Sequence, residues 1–305
     1  MLQPRSSLGS TIFLRHPTTD DAIKLFFPGQ KISLKPLDCP EVSFTISKLS
    51  MPVTKSVVVL AKPDMGDSEQ VVIKIYDPRY LDERFETPPL PSYPWIFSNE
   101  HAAAMARPQN AELSEEELDK IYSDSPEDLS GEDLTTHYLL WEEKFYRLMM
   151  ESYNAEHKAY KHLKDLQGSV IPHLIMAGQF LPPDERAIQP PALVLQHIPS
   201  VNLYDVSYAA ITPAIRTQLI SAIESFPSYG VVHNDITPTN ICFTPPEQPV
   251  RAIVIDFGYS MMREEAEDDY WTTCGALDVR WAKRLLEDQT LIRKFVADES
   301  VSRFM

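Results

Sequence analysis

The sequence predicts an α+β fold, on three observations. β-Branched or alternating runs recur before residue 199, at Val42–Leu49, 56–61 (SVVVLA), 71–76 (VVIKIY), 173–181 (HLIMAGQFL) and 192–198 (ALVLQHI). The segment 135–166 carries apolar residues at a 3.6-residue period, the pattern of a helix with one buried face. Helices then dominate. Thr212 as N-cap, Pro213 in the first turn and Gly230 as a stop frame one at 212–230. Leu277, Trp281, Leu285 and Leu286 give 276–286 a buried helical stripe.

Composition narrows the class. With 43% hydrophobic residues in a 305-residue chain there is material for a sizeable core. The 44 acidic residues outweigh 28 basic ones, for a net charge of −16, which argues against a general binder of nucleic-acid backbone. Cys39, Cys242 and Cys274 are too far apart for a zinc motif or a disulfide framework, so a reducing compartment, cytoplasmic or nuclear, is expected. The N-terminus, broken by Pro4, Gly9 and Pro17, does not read as a signal peptide. No apolar run is long enough to span a membrane.

Taken in order, residues 1–30 form an extension in which Thr19 or Asp20 caps a short helix ending before Pro28-Gly29. In the run VVIKIY, Lys74 has apolar neighbours on both sides; it is either a strand lysine on the solvent face or a buried functional cation. Residues 77–134 are an insertion, proline-rich first and acidic over 112–133, with Ser114 and Glu117 spaced as a capping box. It reads as a solvated loop with one or two helical turns, or as a surface that docks a partner. Glu156, Ala159, Tyr160 and Leu163 share one helical face, and a carboxylate on an apolar face calls for a cation. Lys74 is the candidate, with the neighbouring Lys158 and Lys161 as alternatives.

The densest pattern is 231–258, VVHNDITPTNICFTPPEQPVRAIVIDFG. His233-Asn-Asp235, then Asn240, then Asp256-Phe-Gly258 after an apolar run resemble the catalytic loop and metal-binding segment of the protein-kinase-like superfamily. That resemblance implies a two-lobed fold with a five-stranded antiparallel N-lobe sheet, 31–198, and a reduced, mostly helical C-lobe, 199–305. It implies that ATP and magnesium are used. Asp235 would orient or accept the acceptor's proton, and Asn240 and Asp256 would bind metal. Lys74, paired with Glu156, would hold phosphates. Leu195 and the backbone of Gln196, His197 and Ile198 would receive adenine. His233 and Phe257 would be structural, and Gly258 would turn the chain sharply.

The chain departs from that family in places. No glycine occurs between Gly29 and Gly66, where a phosphate-covering loop belongs. Asn234 and Thr237 stand where protein kinases carry arginine and lysine, and the chain stops soon after Gly258. The expected type is therefore a compact atypical kinase, similar to fungal kinase-like proteins and aminoglycoside-phosphotransferase-type kinases. Its acceptor would be a protein Ser/Thr or a small-molecule hydroxyl. The alternative is a kinase-like scaffold or binding protein with weak or no catalysis.

Overall fold

In the computed structural model, residues 24–292 are described, apart from 37–38, 51–52, 54, 66–68, 85–91, 111 and 124–125. Six strands close into a barrel in the order β1-β2-β3-β4-β6-β5. They are β1 (Lys31–Pro36), β2 (Val42–Leu49), β3 (Val57–Pro63), β4 (Val71–Ile75), β5 (Leu174–Leu181) and β6 (Pro191–Gln196). Every neighbouring pair is antiparallel. The expected five-stranded sheet is thus corrected to six strands. β1 pairs with β2 on one side and β5 on the other, which removes both free edges. The alternation in β1 puts Ile32 and Leu34 inside with Phe44, Ile73, Ile75 and Phe180. The expected helix at 21–27 lies largely outside the described residues. Its end, Phe26, is buried in the barrel against Phe180, ring centroids 5.6 Å apart.

The alternation that sends Ile73 and Ile75 inward sends Lys74 outward, beside Leu193 of β6. That outer face meets the long helix. With α1 (Phe97–Asn110) and α2 (Glu115–Asp119) before it, α3 runs from Gly131 to His162. It starts four residues earlier than its periodicity suggests.

The insertion is not a solvated loop. Its described residues fold onto α3. Tyr93, from the proline-rich stretch, stacks on Trp141 with centroids 4.2 Å apart. Arg84, fully buried, makes a two-pronged pair with Glu142, at 2.9 and 2.6 Å, and lies 4.2 Å from the Phe145 ring centroid. Arg107 of α1 reaches Glu143 at 2.8 Å. Ser114 and Glu117 form the expected capping box, but the acidic residues nearby are largely partnered. Glu115 and Asp119 both bind Lys144, and Glu115 also binds Arg147.

Beyond the barrel, β7 (Val201–Asn202), β9 (Ile241–Thr244) and β10 (Arg251–Val254) form one small sheet. β8 (Val231–Val232) pairs with β11 (Met261–Met262). Two helices back them, α4 (Pro213–Ser225) and α5 (Asp268–Glu287). Thr212 caps α4 by accepting from the Ile215 N–H at 3.3 Å, and Gly230, φ 76°, ends the turn after it. The closing helix is longer than its sequence pattern suggests. Leu285 and Leu286 are buried, whereas Leu277 and Trp281 lie on its outer side. Among the described residues no helix is long and apolar enough to cross a membrane.

Removing one member of a buried, charged pair strands the other in a poor dielectric. Arg84→Leu should therefore cost about 3–5 kcal/mol in urea unfolding, with most of it recovered in Arg84→Leu/Glu142→Leu. Equal losses in the single and double variants would mean that the pair is not what anchors the insertion.

Candidate active site

β8 delivers a tight loop, 233–240, that is stabilised from below. The Asp278 carboxylate accepts the N–H of His233 at 2.8 Å and that of Asn234 at 3.2 Å. Asn234 is left-handed, φ 61°, a conformation asparagine tolerates better than most residues. His233 is buried and donates from Nε2 to the Ile255 carbonyl at 3.0 Å, while its Nδ1 accepts the Asp235 N–H at 3.2 Å. This pattern requires the neutral ring. Burial pushes its pKa down to about 4. The expected bracing role is what these bonds describe.

Asp235 and Asn240 meet across the loop. Asn240 Nδ2 donates to the Asp235 carbonyl at 3.0 Å and to Oδ2 at 2.8 Å. Burial, reinforced by the Asp256 charge, pushes Asp235 up to about 6 against the opposing Asn240 bond. The register of β9 against β10 pairs Ile241 with Val254, so the Ile255 N–H bonds the Asn240 carbonyl at 3.0 Å. That pairing sets Asn240 beside the start of the Asp256 turn.

The turn itself corrects an expectation. Asp256, at φ 64°, takes the left-handed conformation, and Gly258 does not. Nor is Gly258 required for space: a Cβ there would sit 3.4 Å from Asp256 Oδ1 and 3.8 Å from Ser152 Cβ, ordinary contact distances. Phe257 is fully buried between Tyr160, Phe226 and His233, with ring centroids 4.6–5.8 Å away, which ties α3 to the loop.

Lys74 joins the barrel to α3 and to the turn at Asp256. Its ammonium pairs with Glu156 of α3 and, at 2.8 Å, with Asp256 Oδ1. Tyr76 donates to the same Glu156 oxygen at 2.5 Å. Lys74 is 6% exposed and Glu156 0%, whereas the Asp256 side chain retains 48% exposure. Burial works against the Lys74 charge, but Asp256 and Glu156 outweigh it and hold the amine protonated above its ordinary range. Glu156 is raised by burial in spite of Lys74, and its Oε1 has no partner among the described residues. The pair with Lys74 settles the choice of partner for Glu156; Lys158 binds Glu265 instead, at 2.7 Å.

Near the end of β6, Leu195 is buried on the outer face of the strand with Leu193. The Gln196 N–H is taken by the His173 carbonyl at 2.9 Å, whereas the His197 and Ile198 N–H groups make no backbone bond among the described residues. Of the residues around the site, sequence reasoning missed Tyr76, Asp278 and Lys55. Asp278 had a signal. It stands in the stripe Trp271, Cys274, Ala282, Leu285 of α5, a carboxylate amid buried neighbours.

The oxygen donors suit magnesium. Asn240 gives its nitrogen to Asp235, so its hard carbonyl oxygen is unbonded among the described residues, and Asp256 is half open. No group of three or more His, Cys, Asp or Glu among the described residues could hold a metal alone, so phosphate and water would complete the shell.

No protein-family model matches the chain. A curated calcium/calmodulin-dependent protein kinase, cmkB of Emericella nidulans, is 38% identical over 58 residues, which is 19% of this chain and 14% of that protein. Two solved structures of Rio2 kinase from Chaetomium thermophilum are similar at TM-scores of 0.45 and 0.42, with 17% and 15% identity. The first is described as an ADP/Mg2+-phosphoaspartate complex. Each match covers 79% of this chain, which spans 54% and 57% of those kinases.

The neutral His233 gives a pH prediction. Unfolded, the ring gains a proton as pH falls through 6.5; folded, it does so only near 4. Protonation in that window favours the unfolded chain, so about 3 kcal/mol of stability attributable to this residue is lost as pH falls from 6.5 to 4. Urea unfolding across that range should show a shallower acid loss in His233→Gln than in the native chain. Parallel pH profiles would contradict the assignment.

Proposed function

We propose that this chain is an ATP- and magnesium-dependent phosphotransferase that moves the terminal phosphoryl group of ATP to a hydroxyl acceptor. The observation that carries the reading is the Lys74 ammonium held between Glu156 and Asp256, with Asp235 and Asn240 bonded to each other beside it. A cation fixed by two carboxylates is pre-set to meet phosphate oxygens without reorganising.

Each residue has a part in this reading. Lys74 binds phosphate oxygens, and Glu156 and Tyr76 position it. Asn240 and Asp256 hold magnesium, which when bound neutralises phosphate charge. Leu195 and the hinge backbone at His197 and Ile198 receive adenine. Asp235 orients the acceptor hydroxyl and takes its proton as the new O–P bond forms and the bond to the leaving diphosphate breaks. The acceptor is a protein Ser/Thr or a small-molecule hydroxyl.

Saturating Mg-ATP should raise the thermal midpoint of the native chain, as about 2.7 kcal/mol of added stability would at a hundredfold excess over Kd. The shift should be lost in Asp256→Asn. Asp235→Ala should keep the shift but lose phosphoryl transfer, read as ATP turnover or autophosphorylation, by roughly 10²–10⁴-fold. No shift in the native chain, or a shift without any phosphoryl transfer, would overturn the proposal in favour of a kinase-like binding protein, and undiminished transfer in Asp235→Ala would take Asp235 out of the reaction.

A further inference from the structure

A cavity of about 470 Å³ lies beside the Asp256 turn. It shares no residue with the set Lys74, Glu156, Asp235, Asn240 and Asp256. One wall is α3, with Glu151 and Ser152; Glu83 of the insertion and the segment 258–260 supply others. A Cβ at Gly258 would lie 3.4 Å from Asp256 Oδ1 and 3.9 Å from Glu156 Oε2, so one turn of backbone parts the cavity from the partners of Lys74.

Its polar lining is short of donors. Lys158 and Glu265, both in the lining, bind each other at 2.7 Å and cancel. Glu83 and Glu151 make no ion pair among the described residues. Loss of solvent raises the pKa of Glu151, and raises Glu83, beside Asp82, to about 7. Two hydroxyls in the wall, Ser152 at 8% exposure and Ser260 at 6%, have no hydrogen-bond partner among the described residues. The remaining cation is Lys55, from the β2–β3 connection. It makes no ion pair among the described residues, and its ammonium rests over the Tyr259 ring, 3.4 Å from the centroid. Carboxylates without a cation, buried hydroxyls without a donor and a ring face that already holds an ammonium all suit a ligand that carries N–H groups and positive charge. The volume is that of a small-ligand site.

We propose that this cavity binds an organic cation, an aliphatic amine or a guanidinium. Glu83 and Glu151 neutralise its charge, the Ser152 and Ser260 hydroxyls accept its N–H groups, and Tyr259 offers its ring. Lys55 is the chain's own competitor for that ring. The site does not depend on the phosphotransferase reading, since nothing in it needs a nucleotide. A ligand held there touches α3 one turn before Glu156. The same chemistry is carried by a free polyamine and by a lysine or arginine side chain of a peptide.

The test is isothermal titration, without nucleotide, of spermidine and of a capped Ala-Arg-Ala peptide, with the citrulline peptide as uncharged control. The proteins are the native chain, Glu83→Gln/Glu151→Gln, Lys55→Met, and Glu132→Gln, which removes an exposed carboxylate at the start of α3. At least one cation should bind the native chain at a single site, and the one that binds identifies the source; the citrulline peptide should not bind. Affinity should fall by roughly tenfold or more in Glu83→Gln/Glu151→Gln, as loss of charge-assisted bonds would cause. It should stay native in Glu132→Gln and rise in Lys55→Met. Neither Glu83 nor Glu151 has a cation to strand, so the double variant should keep the native thermal midpoint without ligand; Glu151→Gln alone repeats the test if it does not. No saturable binding of either cation would overturn the inference. So would an equal loss in Glu132→Gln, which would mark attraction to the net charge of −16. Binding in Lys55→Met no tighter than native would overturn it as well.

Discussion

One ammonium group organises this molecule. Lys74 comes from a barrel strand, Glu156 from the long helix, and Asp256 from the turn after β10, and the three meet at a single nitrogen. A buried Lys–Glu pair is stable only when both partners are present and further bonds satisfy them. Tyr76 supplies one such bond. Phe257 packs on Tyr160 of α3 at the same place, so the helix, barrel wall and the turn at Asp256 are mutually constrained by packing as well as charge.

That meeting point depends on where α3 lies, and the insertion helps to fix it. Arg84–Glu142, Arg107–Glu143 and Lys144 with Glu115 and Asp119 join the insertion to the first half of the helix, while Glu156 stands in its second half. On the barrel side, Arg186 binds Asp77 and Glu100, both buried, so α1 is fastened to the β5–β6 hairpin as well. The insertion thus acts as a brace between barrel and helix. Breaking it would loosen the Lys74–Glu156 contact without touching either residue.

Much of this was legible in the sequence, for identifiable reasons. A lysine inside VVIKIY and a glutamate on an apolar helix face each violate local polarity, and such violations find one another. His233, Asp235, Asn240 and Asp256 come together because two short strands, β9 and β10, carry them in register. β1 escaped notice because it ends in proline and has one pairing partner, β5, far away in the chain. The insertion looked like a solvated acidic loop because charge composition does not say whether charges are paired. Arg84 and Glu142 are 58 residues apart. Likewise, the sharp turn fell to Asp256 because its carboxylate is held by Lys74, an interaction that local propensity does not contain.

The central claim is that Lys74 and Glu156 act as one device on bound phosphate. It is tested most directly by a double-mutant cycle of Lys74→Met and Glu156→Gln, read as Mg-ATP affinity. The account predicts that either change alone weakens binding to a similar degree and that the double variant loses little more, because the pair has already failed. Additive losses, or native affinity in Glu156→Gln, would contradict it.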